Sequence, residues 1–203
     1  MPLPLLPAAW RLYVDALTAH PAVTRSLTSV ALFAASDAAA QALARPPRAR
    51  RPAPPPVGHR TLRFAAFGGL VHAPACAAFF AALDAALPAT TPAAVALKIA
   101  VDRVAFTPFL LAAAIAWMQV TGGATAAAAA NAVRGRLPKT WALSCVVWIP
   151  AHFVGFSYVP LALRVLYINV VALVWNCVLA HLAATARPPG LPVLAPDGSP
   201  HEK

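Results

Sequence analysis

Val147 to Asn176 read VWIPAHFVGFSYVPLALRVLYINVVALVWN, an apolar stretch carrying only His152, Arg164, Asn169 and Asn176 as strongly polar groups. Pro150 and Pro160 divide it. In water it would be a buried core with several polar groups to satisfy. In a bilayer it is a pair of linked hydrophobic helices, and its few polar side chains become the candidates for function. The choice of solvent decides the rest of the chain.

Composition makes that choice. The 203 residues are 60% hydrophobic and 11% charged, with a mean hydropathy of +0.68. Soluble domains run about 45–50% apolar and roughly a quarter charged, so these charges would not cover a soluble fold of this size. The expected fold class is all-α: a polytopic integral membrane helix bundle of four to five hydrophobic spans preceded by an N-terminal amphipathic helix. The net charge of +10 fits loops facing an anionic leaflet better than nucleic acid, since aromatics are sparse along the basic stretch. Cys76, Cys145 and Cys177 sit singly in apolar runs without a C-x-x-C and read as small buried hydrophobes. The opening MPLPLLPAAW lacks the basic lead-in of a signal peptide.

Three regions follow: an N-terminal segment 1–24, a membrane bundle 25–186, and a disordered tail 187–203. Residues 8–20 form the amphipathic helix, with Trp10, Tyr13 and Leu17 on one face and the two aromatics as headgroup anchors. Residues 26–44 are the first span; Asp37 and Gln41 share its face one turn apart, and Ala34 and Ala38 allow close helix approach. A carboxylate in a bilayer costs roughly 2.5–3.5 kcal/mol on insertion scales, so Asp37 should face helices or water. Residues 45–61, with Arg45, Arg48, Arg50, Arg51 and Arg60 among prolines, are an extended or disordered basic loop.

Residues 62–87 are the second span, bendable at Gly68, Gly69 and Pro74, with His72 midway as an interior histidine or a functional one. Residues 93–118 are the third. There Asp102 is expected to pair with Lys98 or Arg103 near a membrane face where the long stems snorkel, and Pro108 adds a kink. Residues 124–138 read as a surface helix ending between Gly135 and Pro138; 140–158 and 161–185 are the last two segments. On the final one Val165, Asn169, Ala172 and Asn176 line one stripe. If all five segments cross, the Arg-rich loop, the 119–139 loop and the tail share a positive side, and the amphipathic helix lies opposite. A four-span arrangement would bring both termini together.

In the opening region the pattern is Trp10-x-x-Tyr13-x-x-x-Leu17-x-x-His20-Pro21-x-x-Thr24, followed by Asp37-x-x-x-Gln41. Further on come Asp102-Arg103-x-x-Phe106-x-Pro108, then Trp148-x-Pro150-x-x-Phe153 continuing through Tyr158-Val159-Pro160 and Arg164-Val165-Leu166-x-x-Asn169 to Trp175. In order and spacing these residues resemble the 22-kDa peroxisomal membrane protein family, whose relatives include the Mpv-seventeen proteins of the mitochondrial inner membrane. The resemblance spans about residues 10–183, and the Asp102-Arg103 and Trp148–Trp175 runs lean to the peroxisomal branch. It implies an integral helical protein, commonly of four spans, with some members passing small solutes. The family's Gly-Pro-x-x-His-x-Trp-Tyr pattern survives only as Ala73, Pro74, Ala77, Phe79 and Phe80. His152, Gly155 and Ser157 stand where the family has a Gln and two Asn, which makes any lining less polar.

Asp37, Gln41, His72, Asp102, Arg103, His152, Arg164, Asn169 and Asn176 are the candidate pore-lining or intramembrane polar residues. Pro74, Pro108, Pro150 and Pro160 are the candidate helix breaks, and Trp10, Tyr13, Trp148 and Trp175 the family-matching aromatics. No strained nucleophile turn surrounds Ser144, no metal-spaced His/Cys cluster appears, and no phosphate-cradling loop is present, so no enzyme, no cofactor and no metal is expected. The partners expected are the lipid bilayer, small solutes and a homo-oligomer, with no nucleic acid. The function expected is a pore or channel for small solutes in a peroxisomal or mitochondrial inner membrane, the peroxisomal one favoured. The alternative is a structural or regulatory membrane component whose polar groups only bond across packed helices.

Overall fold

The structure, a computed structural model, describes residues 8–43 and 58–185, with side chains placed up to Ala42 and from Gly58 to Asn176. Six helices account for nearly all of it: α1 Ala8–Ala19, α2 Pro21–Leu43, α3 His59–Ala86, α4 Pro92–Val120, α5 Ala126–Tyr158 and α6 Leu161–Thr185. Among the described residues there is no strand. By length and apolar composition α3, α4 and α5 each suffice to cross a bilayer. At 23 and 25 residues, α2 and α6 also exceed the ~20 residues that a crossing needs. The chain is an all-helical membrane bundle. The basic loop and the C-terminal tail of the sequence reading fall largely outside the described residues.

Side-chain contacts fix the helix directions. Asp37, late in α2, meets Thr61, early in α3, at 2.7 Å. Trp117, late in α4, donates to the carbonyl of Arg63 on α3 at 2.8 Å. Tyr167 on α6 donates to Ala151 on α5 at 2.9 Å. Asn169 and Asn176 of α6 donate to Ser29 and Ser36 of α2 at 2.6 and 2.8 Å. Both partners of those two bonds advance by seven residues, so α2 and α6 run parallel. Five long helices alternating in direction give that relationship, and α1 then sits at the end opposite the loop that follows α2.

Prolines shape the helices in two ways. Pro74 and Pro108 have no N–H to give the carbonyl four residues back, and their rings press against it. In both cases the preceding turn widens instead of breaking. The N–H of Ala73 bonds the carbonyl of Gly68, and that of Thr107 bonds Asp102, each five residues back. These π-turns, Gly68–His72 and Asp102–Phe106, re-aim His72, Asp102 and Arg103. Gly68 and Gly69 in the first let α3 touch α2: a Cβ on Gly69 would stand 2.4 Å from Val30 Cγ2, and one on Gly68 2.6 Å from the Phe33 ring.

Two boundaries and one pairing differ from the sequence reading. The first long helix begins at Pro21 rather than Ser26, because proline is well suited to a first helical position. The supposed surface helix 124–138 and the segment 140–158 are one helix, running through both Pro138 and Pro150. Its first turn is capped by Thr125, whose hydroxyl accepts from the Ala128 N–H at 3.2 Å, and the alanines that follow have the highest helix propensity. Pro138 forfeits a single bond to the carbonyl of Arg134, an exposed position. Finally, Lys98 does not pair with Asp102: it is 1% exposed and pairs with Asp84 on α3 at 2.8 Å.

The apolar core lies toward the α1 end of the bundle, where Ala73, Cys76, Phe80 and Leu83 of α3 meet Val95, Phe156, Val165 and Ile168. Phe80 and Phe156 stand edge to face at 5.8 Å.

Candidate functional site

All five long helices contribute to one partly open cavity of about 360 Å³. One side is apolar, with Phe33, Phe64 and Phe67 facing Leu110, Ile115 and Met118. The other side is a ladder on α5. Arg136, Thr140, Ser144, Trp148 and His152 recur at every fourth residue and all line the space. At 1.5 Å per residue the ladder descends about 24 Å. Its top rung, Arg136, is exposed, and its bottom rung meets the floor.

The floor is built from α4. Both Nε and Nη2 of Arg103 donate to Oδ2 of Asp102, the former at 2.8 Å. Thr107 donates to the same oxygen at 3.0 Å, and His152 Nε2 stands 3.4 Å from it. The π-turn brings Thr107 to Asp102, five residues apart, a pair that a regular helix would hold about 140° apart around its axis. Trp141 Nε1 donates to the Arg103 carbonyl at 2.7 Å and pins α5 to the turn. Among the described residues Nη1 of Arg103 has no hydrogen-bond partner. Below the floor lies the core layer of Phe80, Val95, Phe156 and Val165, so the cavity is closed toward the α1 end.

Beneath that layer a second charged cluster joins three helices. Asp84 gives one carboxylate oxygen to Lys98 and the other to Arg164, at 2.8 and 2.7 Å. Arg164 Nε also donates to the carbonyls of Gly155 and Val159 near the end of α5. Its guanidinium stands 5.2 Å from the Phe156 ring centroid. The two cations outnumber the carboxylate, and the carbonyls at the C-terminus of α5 supply the balancing partial negative charge.

Of the candidate residues, His72, Asp102, Arg103, His152 and Asn176 line the cavity, together with Trp148 and Trp175. Asp37, Gln41, Arg164 and Asn169 are absent from its lining. Asp37 and Gln41 instead bond each other and Thr61 between α2 and α3, and Arg60 closes on Asp37 at 3.0 Å. Asn169 serves the α2–α6 contact. Trp10 and Tyr13 stack on each other at 5.6 Å beside Leu32 and Leu166. Arg136, Thr140, Ser144 and Asp84 went unrecognised. For Arg136, Thr140 and Ser144 the signal was a repeat of four that continues through Pro138, hidden once that proline is read as a helix end.

Comparison with known proteins agrees with this architecture. Residues 119–180 match the model of the Mpv17 / PMP22 family. Protein SYM1 of Gibberella zeae is 31% identical over 179 residues, covering 84% of this chain and 94% of the relative. Peroxisomal membrane protein 2 of Bos taurus is 27% identical, over 88% of this chain and 91% of the relative. Mitochondrial inner membrane protein Mpv17 of the same species is 28% identical, over 87% and 98%. No solved structure matches. Relatives named for both organelles at like identity do not support the lean to the peroxisomal branch. The chain, a helical integral membrane protein, belongs to the Mpv17 / PMP22 family.

Proposed function

We propose that the protein is a non-enzymatic conduit for small solutes across an organelle membrane, of the peroxisomal or mitochondrial inner kind, held here in a closed state. The observation that carries this reading is the cavity. A space of about 360 Å³ among five packed helices falls in the range of small-molecule sites, about 300–1,000 Å³. Its polar ladder covers about 24 Å of a hydrocarbon core that is about 30 Å thick. Groups meant only to bond across helices would close against one another, as Ser29 and Asn169 do. Thr140 and Ser144 instead bond carbonyls of their own helix at 2.9 and 2.7 Å and belong to the cavity lining. Passage requires the Phe80–Phe156 layer to part.

The test is release of a trapped neutral solute. Purified protein in sealed proteoliposomes releases erythritol faster than protein-free vesicles, and planar bilayers containing it carry current. Release equal to that of empty vesicles, with the protein folded and inserted, favours the reading as a structural membrane component.

A further inference from the structure

We infer that the cavity is a binding site for one long-chain fatty acid, its acyl chain laid along the apolar wall and its carboxylate at Arg136. The inference goes beyond the conduit reading and does not need it.

Shape and lining call for a chain. Spread along the ladder's length of about 24 Å, a volume of about 360 Å³ is a narrow slot rather than a round chamber. Phe33, Phe64, Phe67, Leu110, Ile115 and Met118 form its apolar wall. The polar side has few donors free. Thr140 and Ser144 give their protons to carbonyls of their own helix, and Thr107 gives its proton to Asp102. Water gains little in such a slot, and an apolar space that water does not fill takes an apolar guest. A route from the lipid is also present. Among the described residues, the hydrogen bonds joining α5 to α6 all lie at the hairpin end, from Arg164 to the carbonyls of Gly155 and Val159 and from Tyr167 to that of Ala151. Farther from the hairpin, Trp148 and Trp175 line the cavity from either helix, and Asn176 bonds α2 instead. A chain from the bilayer reaches the slot through that unbonded seam.

Charge sets the head of the ligand and its direction. Asp102 and Arg103 neutralise each other at the floor, which leaves Arg136 as the one other Lys, Arg, Asp or Glu on the lining. Arg136 is exposed, and Arg134 and Lys139 beside it on α5 are exposed as well. Among the described residues no salt bridge holds Arg136. A carboxylate at that end meets a guanidinium fork where long cationic side chains reach the membrane interface. The chain then runs inward, toward Phe80 and Phe106 at the uncharged end of the slot. A fatty alcohol has the same chain and no charge for Arg136 to hold.

Photolabelling of the full-length protein in phosphatidylcholine vesicles tests this. Palmitate carrying a mid-chain diazirine should label the wall residues between Leu110 and Met118, and unlabelled palmitate should displace it along a saturating curve. Hexadecanol should displace it less well. Arg136→Gln should weaken displacement by palmitate about two- to fivefold, the size of an exposed ion pair, and leave displacement by hexadecanol unchanged. Ala114→Phe, which fills the slot, should remove the wall label. Label confined to lipid-facing positions such as Leu70, Val104 and Val146 overturns the site. So does equal displacement by acid and alcohol in the wild type, or wall label retained by a folded Ala114→Phe protein. Equal wall label from a diazirine phosphatidylcholine overturns the free acid in favour of bilayer lipid. Erythritol release is read separately: vesicles that release it without wall label leave the conduit standing and remove the site. A protein labelled on the wall that retains erythritol does the reverse.

Discussion

Arg164 of α6 meets Asp84 of α3 at 2.7 Å across 80 residues of sequence, and the same carboxylate holds Lys98 of α4. One acidic side chain thus fastens three helices beneath the apolar layer that closes the cavity. Replacing it strands two cations of which Lys98 is 1% and Arg164 5% exposed. Breaking a buried pair from one side costs about 3–5 kcal/mol. Asp84→Asn should therefore lower the Tm of the detergent-solubilised protein more than Asp37→Asn, whose partner Arg60 has its side chain 60% exposed. Equal losses would remove Asp84 from its central place.

The parallel contact of α2 with α6 is held by matched rungs. Asn169 donates to Ser29 while its own Oδ1 has no partner among the described residues, so the rung is a single bond. Such bonds average about 0.6 kcal/mol in membrane bundles. A double-mutant cycle of Ser29→Ala and Asn169→Ala, read by unfolding in detergent, should give a coupling of about that size. The Ser36–Asn176 rung should behave alike, and zero coupling in both would show that packing alone aligns the helices.

Two glycines should respond in opposite directions. A Cβ at Gly69 would press into Val30 and stand 3.2 Å from the Ser26 carbonyl oxygen, so Gly69→Ala should destabilise by about 1–3 kcal/mol through overpacking. Gly135 lies within α5 with nothing near its absent Cβ. There Gly135→Ala should stabilise by about 0.5–1 kcal/mol, because alanine loses less backbone freedom on folding. Unfolding midpoints of the two variants check both signs.

Ser144 stands midway down the ladder, 2% exposed. Ser144→Leu should place apolar bulk in the cavity and slow erythritol release, while Ser144→Ala leaves the bore open and the release near wild type. Undiminished release in a folded Ser144→Leu protein would show that solute takes another path.

The sequence by itself determined the solvent, the helices and the family. Too few charges to cover a soluble surface leave lipid as the only medium for these runs, and lipid allows an open chain no other spanning form than helix. The stripe of Val165, Asn169, Ala172 and Asn176 was legible because helical periodicity is a local property. Partner choice was not. Lys98 and Asp102 sit four apart and look like a pair, yet Asp102 bonds Arg103 and, across the widened turn, Thr107, and α3 brings Asp84 to Lys98. The ladder from Arg136 to His152 exists only because α5 continues through Pro138. A missing N–H says that one bond is lost; whether the helix survives depends on what packs on either side. The cavity itself belongs to no segment, being the space that five helices leave when their aromatic and proline-bent faces meet.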